Sequence, residues 1–134
     1  MRLVAYGLAV IVVATLVILA AALPATWQLS DRLGLAALGL AGAGALHLLA
    51  RPRLVAASGR VTVVNSIRTH VLEWAEIVDI RMPAGEPWPT IDLSDGTTLA
   101  VMGIQSNDGD LATAQLAEFQ RLLHAQGEGR EPAR

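Results

Sequence analysis

Cysteine and lysine are both missing from this 134-residue chain. Without cysteine there is no disulfide scaffold and no thiolate to ligate a metal. Without lysine, all ten basic side chains are arginine, a bias that, with the abundant Ala, Leu, Val and Gly, points to a GC-rich genome and not to a task. Charge of either sign is sparse, at 16% of residues and a net −2. Its distribution is more telling than its total. Residues 1–53 carry four Arg against one Asp, whereas residues 54–134 carry six Arg against eleven acids. The two halves therefore meet different surroundings.

No charge interrupts Leu3 to Leu23, a run that makes a helix of about 31 Å and matches a hydrocarbon core of roughly 30 Å. A second uncharged run, Leu33 to Ala50, reaches about 27 Å and gains full depth by extension into Asp31 and Arg32. Both are expected to span a membrane, with Pro24 stopping the first helix, Ser30 or Asp31 capping the second and Trp27 at the interface. So short a connection allows only an antiparallel hairpin. Arg2 flanks one end and Arg51 and Arg53 the other, so both termini are expected in the cytoplasm of a multi-pass cell-membrane protein. The competing reading, a cleaved signal peptide ending near Ala20 and Ala22, needs an apolar core shorter than this one.

Within the second span, Gly39 and Ala43 repeat small residues at four-residue spacing, a candidate face for helix packing, either on the first span or on another protein. Gly42-Ala43-Gly44 lies inside an apolar helix and follows no strand, so it is not a nucleotide loop. His47, one turn before Arg51, reads as an interfacial histidine, because neither span holds a second acid or histidine for a proton relay.

After Arg53 the pattern changes to short β-branched segments separated by turn residues. Strands are expected at Leu54–Ala56, Arg60–Asn65, His70–Trp74, Ile77–Met82, Thr90–Leu93 and Thr98–Met102. Ser58-Gly59 and Asp95-Gly96 are expected as turns, the latter a tight hairpin with positive φ at both central positions. A capping loop, Ser106 to Asp110, then opens an amphipathic helix whose apolar stripe is Ala112, Leu116, Phe119 and Leu123. Glu118 and Arg121 form an i,i+3 pair on its polar side. Gly127 should end this helix before a charged, disordered tail, residues 127–134. A domain of about 73 residues, 54–126, has a core only just sufficient, so Phe119 must be buried. The fold class is α+β: a hairpin, residues 1–53, followed by a small antiparallel sheet or partial barrel covered by a C-terminal helix.

Asn65-Ser66-Ile67-Arg68-Thr69-His70, then Trp74-Ala75-Glu76-Ile77, Asp95-Gly96-Thr97, Ile104-Gln105-Ser106 and Asp108-Gly109 together resemble the bacterial PH-like domain of the low-molecular-weight protein antigen 6 family. These are small, mostly actinobacterial proteins in which the PH-like domain typically follows a transmembrane hairpin. The resemblance covers about residues 51 to 124 and implies the fold, with no reaction, cofactor or ligand attached to it.

Catalysis has no visible starting point. The histidines at 47, 70 and 124 share no ligand spacing, no carboxylate pair sits at metal-binding helical spacing, and no nucleophile elbow surrounds a serine. No catalytic residue, metal or cofactor is therefore expected. A phosphoinositide site would need several basic residues after the first strand, where only Arg60 stands. With −5 on the soluble half, neither nucleic acid nor anionic-lipid recognition is expected. Trp74 reads as core. Trp88, held in Pro87-Trp88-Pro89, together with Arg60, Arg68 and His70 on exposed turns, are the candidates for contact with a protein partner. The expected function is a membrane-anchored binding or scaffolding module, with strand addition at an open sheet edge or docking at Trp88 as its mode. The alternatives are an accessory subunit packing through Gly39 and Ala43, association with a second copy, and an anionic-lipid sensor.

Overall fold

The computed structural model describes residues 2–128. The chain divides into two compact units, Met1–Arg51 and Pro52–Arg134.

The first unit is two antiparallel helices, α1 (Arg2–Ala22) and α2 (Leu29–Ala50). Both are long and apolar enough to cross a membrane. α1 ends at Ala22, two residues before Pro24, as the steric demand of proline on the preceding turn requires. α2 starts at Leu29, earlier than the uncharged run. Its cap is Gln28, in place of the expected Ser30 or Asp31: the Gln28 N–H donates to the Asp31 carboxylate at 2.9 Å. Arg32, one residue further, folds back and donates to the carbonyls of Ala20 (2.9 Å) and Leu23 (2.8 Å). Those are terminal carbonyls of α1 that have no partner within their own helix, and a cation there also offsets the helix dipole.

From this clasp the helices zip together through small residues. Gly39 is buried, and a Cβ added to it would stand 3.3 Å from Leu16 Cδ1, while one on Gly42 would lie 3.6 Å from Val12 Cγ1. At the far end the Tyr6 hydroxyl and His47 Nδ1 are 3.1 Å apart, with the two rings tilted against each other. The large apolar side chains point outward: sixteen of the twenty-one exposed large hydrophobic residues belong to this unit. Such a distribution suits a lipid solvent and not water.

The second unit holds six strands and a helix. β1 (Arg53–Ala56), β2 (Val61–Val64) and β3 (Thr69–Leu72) form one antiparallel sheet, and β4 (Ile77–Arg81), β5 (Thr90–Leu93) and β6 (Thr98–Ala100) form another, each in sequential order. The sheets do not close into a barrel. β-Branched alternation builds the first: Val61 and Val63 are fully buried, while Thr62 between them faces outward. Ile80 and Ile91, directly paired across β4 and β5, are the counterparts in the second.

Between the sheets the chain makes a 3-10 turn, Trp74–Glu76, where a continuous strand through Trp74 was expected. The Glu76 carboxylate accepts the Glu73 N–H at 2.6 Å and so ends the strand. The turn swings the Trp74 indole inward, stacked on Phe119 at 5.5 Å, with Nε1 donating to the Ala57 carbonyl at 2.8 Å.

The β5–β6 hairpin forms around a three-residue loop, Ser94 to Gly96, and not a two-residue turn. Gly96 takes φ +85° while no other kind of residue has positive φ among those described. Asp95 therefore escapes the left-handed region that a two-residue turn would impose on it.

The C-terminal helix, α3 (Asp110–Glu128), covers the sheets with Ala112 and Phe119 buried and Leu116 and Leu123 half-buried. The Gln120 amide donates to the Ile80 carbonyl at 2.9 Å, fixing α3 to β4. Gly127 and Glu128 lie within this helix, so Gly127 does not end it; residues 129–134 of the expected tail lie outside the described residues.

Two contacts join the sheets. The Asn65 side chain donates to the Ala100 carbonyl (2.8 Å) and accepts the Met102 N–H (3.1 Å). Gly103 approaches β1 so closely that an added Cβ would stand 2.6 Å from the Arg53 backbone, which leaves no room for any side chain.

Candidate functional site

The four candidate contact residues do not converge. Arg60 follows the β1–β2 turn and Arg68 closes the β2–β3 turn, so a strand of roughly 13 Å separates them at about 3.3 Å per residue. His70 is not on a turn. It sits in β3 directly opposite Val63, on the inward face of an outer strand, and is half-buried for that reason. Trp88 is half-buried as well, in the connection between β4 and β5. That connection is tied down on both sides of the indole, with Ser106 donating to the Pro87 carbonyl and Val101 to the Pro89 carbonyl, both at 2.9 Å. Of the two flanking prolines Pro89 is fully buried and acts as a packing element, while Pro87 is exposed.

The concavity of the unit lies elsewhere. An open groove of about 350 Å³ runs between β1 and α3. Leu54, Ala56, Gly103 and Ile104 make one wall, Ala114, Gln115, Glu118 and Leu122 the other, with the 3%-exposed Phe119 at its base. β1 is an outer strand paired only to β2. The bond from the Ala57 N–H to the Arg60 carbonyl (2.9 Å) sets the phase of this ladder. Counting back by alternation, Val55 pairs with Thr62 through hydrogen bonds, whereas Leu54 opposite Val63 and Ala56 opposite Val61 occupy non-bonded positions. The backbone groups of Leu54 and Ala56 therefore turn away from β2; Leu54 N lies against Gly103, which covers that end of the edge, while Ala56 faces the open part of the groove, and the side chains of both line it. An exposed edge of this kind is a template for an added strand.

On the groove's rim Arg121 donates to both oxygens of Glu118, at 2.9 and 2.6 Å, and the hydrogen bond holds the Glu118 carboxyl below its ordinary value while raising Arg121. The pair is exposed, so it orders the rim more than it stabilises the fold. Among the described residues no group of His, Asp or Glu could hold a metal ion.

Reading residues along the chain missed the edge phase of β1, the Asn65 bridge and the Gly103 contact. A signal for the last was available in retrospect: a glycine directly after the β-branched run ending at Met102 marks a close backbone approach. The Arg32 clasp and the Tyr6–His47 pair had no comparable signal.

The bacterial PH domain family matches residues 51–122 of this chain. The chain is 38% identical over 97 residues to an uncharacterized protein of Mycobacterium tuberculosis and to another of Mycobacterium bovis, each match covering 72% of this chain and 63% of the relative. It thus spans less than two thirds of the length of these relatives. No solved structure matches it.

Proposed function

Because this chain belongs to the bacterial PH domain family, we propose that it is a membrane-anchored binding module without catalytic activity, its α1–α2 hairpin crossing the cell membrane and its PH domain receiving a protein partner on the cytoplasmic side. PH domains are generally binding modules, and no catalytic family matches the chain. Anchoring is supported by two apolar helices of 20 and 22 residues and by their outward aliphatic faces. Orientation is supported by Arg2, Arg51 and Arg53 at the open end of the hairpin. Residues 1–53 serve as the anchor and residues 54–126 as the receptor domain.

The observation that carries the binding reading is the apolar groove lined by Leu54 and Ala56, into which Ala56, beyond the Gly103 contact, turns its backbone groups. Its occupant is an extended segment of the partner, hydrogen-bonded to β1 and placing apolar side chains at alternate positions over Phe119 and Leu122. Ala56→Pro removes a donor that faces the groove and spares the β1–β2 ladder, as proline on an edge strand does. A photo-crosslinker at Gln115 in cells should then lose its protein adduct in Ala56→Pro and in Leu122→Arg while the fold persists. An adduct indifferent to both substitutions, and lost instead in Trp88→Ala, would move the site to the β4–β5 connection.

A further inference from the structure

The acids of the second unit are not spread evenly. Residues 51–72 contain Arg51, Arg53, Arg60 and Arg68 with no acid, whereas residues 73–128 contain ten acids and two arginines. Those two, Arg81 and Arg121, are paired with Asp92 (3.0 Å) and Glu118 (2.6 Å). The acid-free stretch folds into the β1–β3 sheet and the acidic stretch into β4–β6 and α3. The net negative charge of the unit thus conceals one basic sheet, and repulsion from an anionic surface holds only for the other side.

The outer face of the β1–β3 sheet is also apolar. Alternation puts Val55, Thr62 and Val71 in one cross-strand row, with Val55 46% and Val71 57% exposed. Ile67 in the β2–β3 turn is 79% exposed, more than any other large apolar residue of this unit, and Arg68 follows it. Arg53, Val64 and Thr69 form the neighbouring row; Val64 at its centre is 3% exposed and so already covered, which leaves Arg53, Ile67 and Arg68 as the exposed groups at this end of the sheet. At this end the chain arrives from α2: Arg53 is the third residue after Ala50, a tether of at most about 10 Å.

We infer that this end of the β1–β3 sheet docks on the anionic lipid surface of the bilayer that anchors the chain, with Ile67 in the headgroup layer and Arg53 and Arg68 among lipid phosphates. The inference rests on the anchoring reading above. An isoleucine at a turn tip flanked by guanidinium groups fits the boundary between acyl chains and phosphates. The tether supplies a high effective concentration, so a contact too weak to hold a free domain suffices for an anchored one. The surface differs from a headgroup pocket after the first strand, where Arg60 stands at the opposite end of the sheet. An acidic protein segment would match the arginines but not the exposed Ile67, and a second copy would have to bring its acidic sheet to the membrane.

The absence of native cysteine allows a clean test. Full-length protein carrying a polarity-sensitive dye on Thr69→Cys, or on Thr98→Cys in the other sheet as reference, is reconstituted into vesicles of phosphatidylcholine with and without phosphatidylglycerol and quenched by nitroxide lipids. Co-flotation with vesicles reads anchoring separately. The expected result is quenching at position 69 several-fold above that at position 98 in anionic bilayers, weaker in neutral ones, and lost in high salt, in Ile67→Ser or in Arg53→Glu with Arg68→Glu. An unchanged urea midpoint of the PH domain verifies that each variant is folded. Protein that floats while position 69 stays aqueous overturns the docking and leaves the anchor standing; protein that does not float overturns both. Quenching that is equal in neutral lipid, or that rises with protein density, also overturns it, the latter in favour of a second copy.

Discussion

The hairpin and the PH domain are built from similar aliphatic residues put to opposite use. In the hairpin, large side chains face outward and the helices meet through Gly39 and Gly42, with polar groups reserved for the Arg32 clasp and the Tyr6–His47 pair. In the PH domain, the aliphatics of alternating strands turn inward on a single aromatic stack, Trp74 on Phe119. The difference is the one that the proposed anchoring calls for, with lipid around the hairpin and water around the domain. Lipid gives no reward for burying a leucine, so close backbone approach and satisfied carbonyls hold the helices together. Water rewards burial at about 25 cal/mol per Å², so a 3%-exposed phenylalanine can organise a domain.

This contrast can be broken one side at a time. The largest effect belongs to Phe119→Ala, which opens a cavity under the groove and should cost about 3–5 kcal/mol in urea unfolding of the PH domain while leaving helical signal from the hairpin unchanged. Gly103→Ala comes next, at about 3 kcal/mol, because its methyl would collide with the Arg53 backbone. Gly59→Ala, where nothing lies within 4 Å, should stay within about 0.5 kcal/mol by the same measurement. On the other side, Gly39→Leu should push the helices apart at Leu16 and cost about 1–3 kcal/mol of hairpin stability in detergent, read by energy transfer between the helices. The urea midpoint of the PH domain should not move.

The smallest effect is electrostatic. Asp95 is held below its ordinary value of 3.8 by hydrogen bonds first from the Thr97 hydroxyl (2.7 Å) and then from the Thr97 N–H (2.9 Å). A carboxyl lowered in the folded state contributes stability that is fully present above the unfolded value and lost as pH falls through the lower folded one. Melting of the domain should therefore show a shallow acid-side decline below pH 3.8 that Thr97→Val lessens, since valine takes away the hydroxyl donor and keeps the N–H.

Much of this architecture was legible in residue order. Run length revealed both apolar helices, β-branched segments revealed the strands, and the motif from Asn65 to Ile77 pointed to the PH family. What misled was local context. Asp31 was expected to cap the second helix and Arg32 to lengthen it, yet the cap is Gln28, whose N–H Asp31 accepts, and Arg32 also bonds carbonyls at the end of the preceding helix. Trp74 continued an alternating pattern that Glu76 interrupts by capping. His70 seemed to lie on a turn until pairing with Val63 placed it in a strand. The groove, the Asn65 bridge and the Gly103 contact depend on what lies across a gap of thirty residues or more, which no local period encodes. Averaging charge over the whole soluble half also erased the separation that the two sheets make plain.

The Arg32 clasp has a consequence for how an anchored chain meets the outside. Only residues 23–28 separate the helices, and the carbonyls of Ala20 in the last turn of α1 and of Leu23 just after it already have an internal donor in Arg32. Such a bend asks fewer hydrogen bonds of its surroundings than an unclasped one would. In a chain anchored with both ends inside, almost nothing is left beyond the bilayer for an extracellular ligand or protease to grip.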